Sequence, residues 1–129
     1  MPAFATLSLP EEPTVTAPDG SDVRVLANLP RGSMAHFELA AGRASAAITH
    51  RTVEKLWFVL GGTAEMWRAD SDGEAITRLG AGTSLSIPVG TRFQFRSLGP
   101  GPFAAVGVTM PPWPGADEAV FVSGPWQAS

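Results

Sequence analysis

Residues 82–97 read Gly82-Thr83-Ser84-Leu85-Ser86-Ile87-Pro88-Val89-Gly90-Thr91-Arg92-Phe93-Gln94-Phe95-Arg96-Ser97. Two short runs flank the Pro88-Val89-Gly90 turn, and both alternate. Leu85 and Ile87 interleave with Ser84 and Ser86, while Phe93 and Phe95 interleave with Gln94 and Arg96. A period of two places apolar side chains on one face of a pleated strand and polar ones on the other. Outward from this stretch, β-type runs recur at intervals of about ten residues, the spacing of a sandwich or barrel. They are Val23 to Leu26, Met34 to Leu39, Ala46 to His50, Leu56 to Leu60, Ala64 to Arg68, Ile76 to Leu79 and Phe103 to Thr109. Asp72-Gly73, Gly61-Gly62 and Gly80-Ala81-Gly82 supply turns between them, and Gly99-Pro100-Gly101-Pro102 a rigid loop. Helical spacing is absent apart from a turn around Ala116 to Ala119. The expectation is an all-β domain.

Composition supports one such domain and no more. The chain has 129 residues, 44% of them hydrophobic and 16% charged, enough apolar matter for a single core. Gly 14 and Pro 12, scattered without period, favour many short elements. Net charge is −3 and the positive residues are dispersed, so no electrostatic footprint for nucleic acid exists. No run approaches the ~20 apolar residues of a membrane span, and Met1 to Pro10 lacks a basic region followed by an apolar one. A cytoplasmic location is the default expectation. With no cysteine, a metal would have to be held by histidine or carboxylate. Only two histidines, His36 and His50, and one lysine, Lys55, are present, beside eight arginines.

Three segments are expected. Residues 1–20, broken by Pro2, Pro10, Pro13 and Pro18, form an extended arm in which Thr14-Val15-Thr16 suits an edge strand or a partner contact. Residues 21–110 form the barrel. Residues 111–129, rich in Pro and Trp, form a tail that packs on the barrel as a flap or meets a partner.

Two segments resemble the paired motifs of the cupin family of small β-barrels. Gly42, five residues, Ile48, Thr49, His50, three residues, Glu54, six residues and Gly61 follow the first cupin frame with its shorter spacer. Gly82, five residues, Pro88, Val89, Gly90, two residues, Phe93, three residues and Ser97 follow the second. The resemblance covers roughly residues 21 to 110 and implies a double-stranded β-helix, the jelly-roll barrel. It also implies a homodimer, since small cupins commonly pair through their sheets. Metal-binding cupins bring two histidines and a glutamate from the first motif and a histidine from the second together inside the barrel. Here those positions read Ile48, His50, Glu54 or Lys55 depending on the spacer, and Phe93. Ile48 and Phe93 cannot coordinate, so the metal motif is incomplete. If a divalent ion such as Mn, Fe, Ni or Zn is held at all, His36, His50 and Glu54 form the displaced candidate set.

The expected site is therefore a largely apolar small-molecule pocket. Ile48, Trp57 and Phe93 wall it, His50, Glu54 and His36 offer polar contacts, and Trp113 with Trp126 closes the mouth. Binding or sensing a small ligand is the first reading. The alternative is an isomerase, epimerase or lyase in which His50 is the general base and Glu54, His36 or Lys55 returns the proton. A structural or dimerising domain is the third. Each residue also has a plainer reading: the histidines as packed or idle groups, Glu54 as the ion-pair partner of Arg51 or Lys55, and Trp57 and Trp67 as wall. Gln94 and Arg96 are expected in solvent or at a subunit contact.

Overall fold

The computed structural model describes residues 4–129. Met1 to Ala3 of the expected arm lie outside them. Eleven strands are described in two antiparallel sheets. They are β1 (Val15–Thr16), β2 (Asp22–Leu29), β3 (Gly32–Leu39), β4 (Ile48–His50), β5 (Glu54–Gly61), β6 (Thr63–Asp70), β7 (Gly73–Gly80), β8 (Ser84–Ile87), β9 (Arg92–Ser97), β10 (Phe103–Met110) and β11 (Ala119–Phe121). One sheet runs β1-β2-β3-β10-β5-β8 and the other β11-β4-β9-β6-β7. A short 3₁₀ turn, Ala116–Glu118, lies where the one helical signal fell.

Alternation decides which side chains enter the barrel. Along β10, Phe103, Ala105, Gly107 and Thr109 are buried and their neighbours are not. Along β5, Lys55, Trp57 and Val59 are buried while Glu54, Leu56, Phe58 and Leu60 are exposed. Registers of Lys55 against Thr109 and Trp57 against Gly107 put these residues on one inner face. From the opposite sheet Met66, Phe93 and Phe95 complete the core, with Trp57 edge-on to Phe95 at 5.1 Å. Each buried large side chain contributes roughly 1.5–3 kcal/mol. Gly107 is required by this packing: a Cβ there would meet Phe37 Cε2 at 2.6 Å and Trp57 Cδ1 at 3.0 Å. Only a residue without a side chain lets the two rings cross β10 so closely.

Both ends of the chain are tied to the barrel. Val15 pairs with Val23 as an edge strand, and Arg24 binds the Pro10 and Glu11 carbonyls, drawing the arm over the outer face of β2 and β3. In the tail, β11 pairs with β4, and Val122 with Trp126 covers Ala47, Trp67 and Ala69 on the outer face of the second sheet. That cover changes the reading of Gln94 and Arg96. Gln94 is 1% exposed rather than solvated, because the tail roofs the face to which alternation assigns it. Its amide donates to the Ser45 and Trp126 carbonyls, and its oxygen accepts from the Trp126 N–H. Arg96 pairs with Glu65 at 2.6 Å and lies 4.4 Å from the Trp126 ring centre.

Candidate functional site

The end of the barrel where β10 finishes and β3 and β5 begin gathers the chain's unusual chemistry. His50 closes β4 with its side chain inward, since Ile48 and His50 are buried on either side of Thr49. Lys55 opens β5 on the inner face opposite Thr109. Beyond β10 the chain crosses this end, where the backbone N–H of Trp113 donates to Ser33 Oγ at 3.0 Å and the indole packs against His50 and Lys55.

Six side chains form a closed circuit of neighbours here. Phe37 stacks on Trp57 at 5.4 Å, Trp57 meets Phe93 at 6.5 Å, and Phe93 meets His50 at 5.3 Å. His50 lies edge-on to Trp113 at 5.3 Å, and Lys55 Nζ lies 5.3 Å from the Trp113 ring centre and 4.9 Å from that of Phe37. Three of the buried members carry polar groups: His50 is 3% exposed, Lys55 7% and Trp57 2%. Neither His50 nitrogen, nor Trp57 Nε1, has a hydrogen-bond partner among the described protein groups. Lys55 makes no ion pair among the described residues. An unsatisfied buried polar group costs about 1–3 kcal/mol, so concentrating several at one place is expensive.

Electrostatics follow from that burial. Desolvation, with the Lys55 ammonium close by, pushes the His50 imidazole down from 6.5 to about 4, against an upward pull from Glu118. At neutral pH the ring is uncharged. Burial likewise pushes the Lys55 ammonium down from 10.5 to about 8, with Asp19 pulling the other way. Glu118 was not singled out by sequence. Its carboxylate accepts from the Thr52 N–H at 2.6 Å, the Thr52 hydroxyl at 2.6 Å and the Val53 N–H at 3.0 Å, clamping the tail to the β4–β5 loop. Burial pushes this carboxyl up, but those three donors and His50 outweigh it and hold it below the ordinary range. No local signal could have found it, because 66 residues separate Glu118 from Thr52.

The expected site residues divide sharply. Ile48, His50, Trp57, Phe93 and Trp113 share this end of the barrel, and Ile48 pairs with Phe93 across β4 and β9. Glu54 does not join them: it is exposed on the outer face of β5, and the strand's alternation turns Lys55 inward instead. His36 is a second correction. It pairs with Val106 on the outer face of the first sheet, buried beside Glu38 at 3.9 Å, with the arm drawn over its neighbour Arg24. Trp126 is a third, because it roofs the outer face of the second sheet and not the mouth.

His36, His50 and Glu54 therefore point to three different environments, and the displaced metal set does not assemble. No group of three or more His, Asp or Glu side chains able to hold a metal occurs among the described residues. At the motif positions, one imidazole stands with an ammonium and two hydrocarbons, which is not a donor set for a divalent ion. The residues present do not fit the metal that metal-binding cupins hold.

Two sheets closed face to face around one core make this a double-stranded β-helix. Solved structures agree: a conserved protein with a double-stranded β-helix domain from Klebsiella pneumoniae aligns with 23% identity over 70% of this chain and 72% of its own, at a TM-score of 0.62. KdgF from Halomonas sp. aligns with 16% identity over 78% and 88%, at 0.66. Oxalate decarboxylase from Bacillus subtilis gives 0.71 with 16% identity over 87% of this chain but 30% of that longer one. The chain folds as a small cupin domain. These identities show fold alone. Comparison with models of known families and with curated proteins finds no match. No helix among the described residues is long and apolar enough to cross a membrane.

Proposed function

We propose that this end of the barrel binds a small organic molecule through a carbonyl or carboxylate oxygen, with Trp113 as the movable cover. The observation that carries the reading is the group of buried, unpartnered polar atoms of His50 and Trp57, beside the unpaired Lys55, inside a circuit otherwise made of aromatic rings. Trp57 Nε1, the Lys55 amine and one nitrogen of neutral His50 are donors, and the other His50 nitrogen is an acceptor. An oxygen acceptor on a compact apolar body satisfies that arrangement, as expected of pockets with few polar groups in apolar walls. The cover is lightly held. Between Met110 and Ala116 a single described hydrogen bond, from the Trp113 backbone N–H to Ser33 Oγ, reaches the barrel, the Gly115 carbonyl accepts only from Glu118 within the tail, and Pro111, Pro112 and Pro114 have no N–H to add. On this reading the motif has exchanged metal coordination for direct hydrogen bonding to ligand.

Thermal denaturation with a panel of small carboxylates, aldehydes and ketones tests the proposal. Members that bind raise the melting temperature of the native chain, and the rise is lost in Lys55→Met and Trp57→Phe. A panel without effect, or one that shifts native chain and variants equally, overturns it.

A further inference from the structure

Lys55 is a singular residue in a way that ligand binding alone leaves unexplained. Eight arginines and one lysine make up the cationic side chains, and that one lysine lies inside the barrel. Lysine is almost never this buried unless paired, yet no carboxylate reaches it among the described ion pairs. Its Nζ rests between the Phe37 and Trp113 rings, and the neutral, unpartnered imidazole of His50 packs against the same indole. A desolvated amine beside a free proton acceptor, under a movable cover, is the constellation of an amine nucleophile.

We infer that Lys55 captures a small aldehyde or ketone as an imine, with His50 carrying the protons. This deepens the binding reading above and rests on it. The lone pair of the neutral amine forms a bond to the carbonyl carbon, and the carbonyl π pair moves to oxygen. His50 accepts a proton from the nitrogen and delivers it to that oxygen, giving a carbinolamine. The nitrogen's remaining proton then leaves with the hydroxyl as water, and the carbon–nitrogen double bond closes. One amine and one carbonyl thus become one imine and one water, without oxidant or reductant, and hydrolysis reverses the sequence. Burial supports the first step: with Lys55 pushed down to about 8, about a tenth of it is neutral at pH 7. The charged groups acting on the pair are Asp19, which favours the ammonium, and Glu118, which favours imidazolium on His50.

The composition makes the experiment clean, because Lys55 and the chain's own N-terminus are the only primary amines. The full chain is incubated with glyoxylate, pyruvate or butanal and sodium cyanoborohydride, which reduces an imine to a stable secondary amine. Peptide mass mapping then locates the adduct, with N-terminal labelling as the internal reference. The expected result is a Lys55 adduct that forms faster than the N-terminal one. In Lys55→Arg and Lys55→Met, labelling remains only at the N-terminus, and circular dichroism confirms that at least one variant is folded. In His50→Gln, trapping at Lys55 slows on the order of 10²-fold while N-terminal labelling is unchanged. A carbonyl probe that raises the melting temperature but labels only the N-terminus overturns the imine and leaves the binding reading standing. Neither adduct nor shift with any of the three probes overturns the imine; when the carboxylate panel is also silent, the binding reading falls with it.

Discussion

The C-terminal tail covers two buried polar clusters in this molecule, and they are built in opposite ways. Under Trp126, the Gln94 amide makes three hydrogen bonds, to the Ser45 carbonyl and to both backbone groups of Trp126. Under Trp113, both nitrogens of His50 make none among the described protein groups, nor does the indole N–H of Trp57 further along β5. Similar burial and the same kind of cover lead to opposite satisfaction. A satisfied buried polar group fixes the packing around it, whereas an unsatisfied one costs stability unless another molecule completes it. The Gln94 cluster is structural on this view, and the His50 cluster gives up stability for binding.

Removing Gln94 is the strongest way to test the first half. Gln94→Ala leaves the Ser45 carbonyl and the Trp126 N–H and carbonyl without partners and opens a void beneath the tail, which is expected to cost about 3–4 kcal/mol. Urea denaturation measures it. A loss below about 1 kcal/mol would remove the distinction between the clusters.

Acid tests the second half. The His50 pKa is lower in the folded chain than the 6.5 of the unfolded one, so between about 6.5 and 4 the unfolded state takes up a proton that the folded state refuses. Stability is complete above that window and falls as pH drops through it, by about 3 kcal/mol in all. Glu118 acts in the same direction at lower pH, because its carboxyl is also held below its ordinary range and loses its three donors when protonated. His50→Phe should abolish the loss between pH 6.5 and 4 and leave the part due to Glu118. Equal urea midpoints for the native chain at pH 7 and pH 4.5 would contradict the assignment.

Smaller, and opposite in sign, is the effect of Lys55→Met. Burial of the ammonium is unfavourable at neutral pH, and the two aromatic contacts recover part of that cost. A thioether of similar length should stabilise the chain by about 1–2 kcal/mol at pH 7. The gain should shrink as pH rises from about 8 to 10.5, where the native lysine sheds its proton before the unfolded one does. A destabilised Lys55→Met would mean that the lysine serves the core.

What sequence could reveal differs along the same line. Strands were legible wherever one face was polar, as in Ser84 to Ile87 and Phe93 to Arg96, because alternation then marks both period and direction. In β5 it could not choose between Glu54 and Lys55. Leu56, Phe58 and Leu60 are as apolar outside as Trp57 and Val59 are inside, so the strand has no polar face to read. For Gln94 the pattern identifies the face correctly but not its cover, and His36, expected in the pocket, lies instead on an outer face that the arm covers. Whether an outer face is wet depends on the arm and the tail, and that is decided by contacts far along the chain. The aromatic circuit was legible only in part: His50, Trp57, Phe93 and Trp113 were identified by motif position or composition, whereas Phe37 and the inward placement of Lys55 emerge from the register of β3 and β5 with β10.

Trp113→Ala is the gentlest change and separates cover from core. The side chain is partly exposed, its N–H bond to Ser33 survives the substitution, and water admitted to Lys55 and His50 returns hydration that burial had removed. These effects oppose the loss of ring packing, so the net change in stability should stay within about 1 kcal/mol. The electrostatic consequence is larger than the energetic one. With the indole gone, His50 should titrate upward from about 4 toward 6.5, followed by NMR of the imidazole, because desolvation is the main cause of its depression. Lys55 should rise toward its ordinary value for the same reason. If Trp113→Ala instead destabilises the chain as much as Gln94→Ala while His50 stays near 4, the two halves of the tail are equivalent and Trp113 is part of the core. A cover that can be removed at little cost, exposing two groups that then titrate normally, is what a site for an incoming ligand requires and a packed core does not.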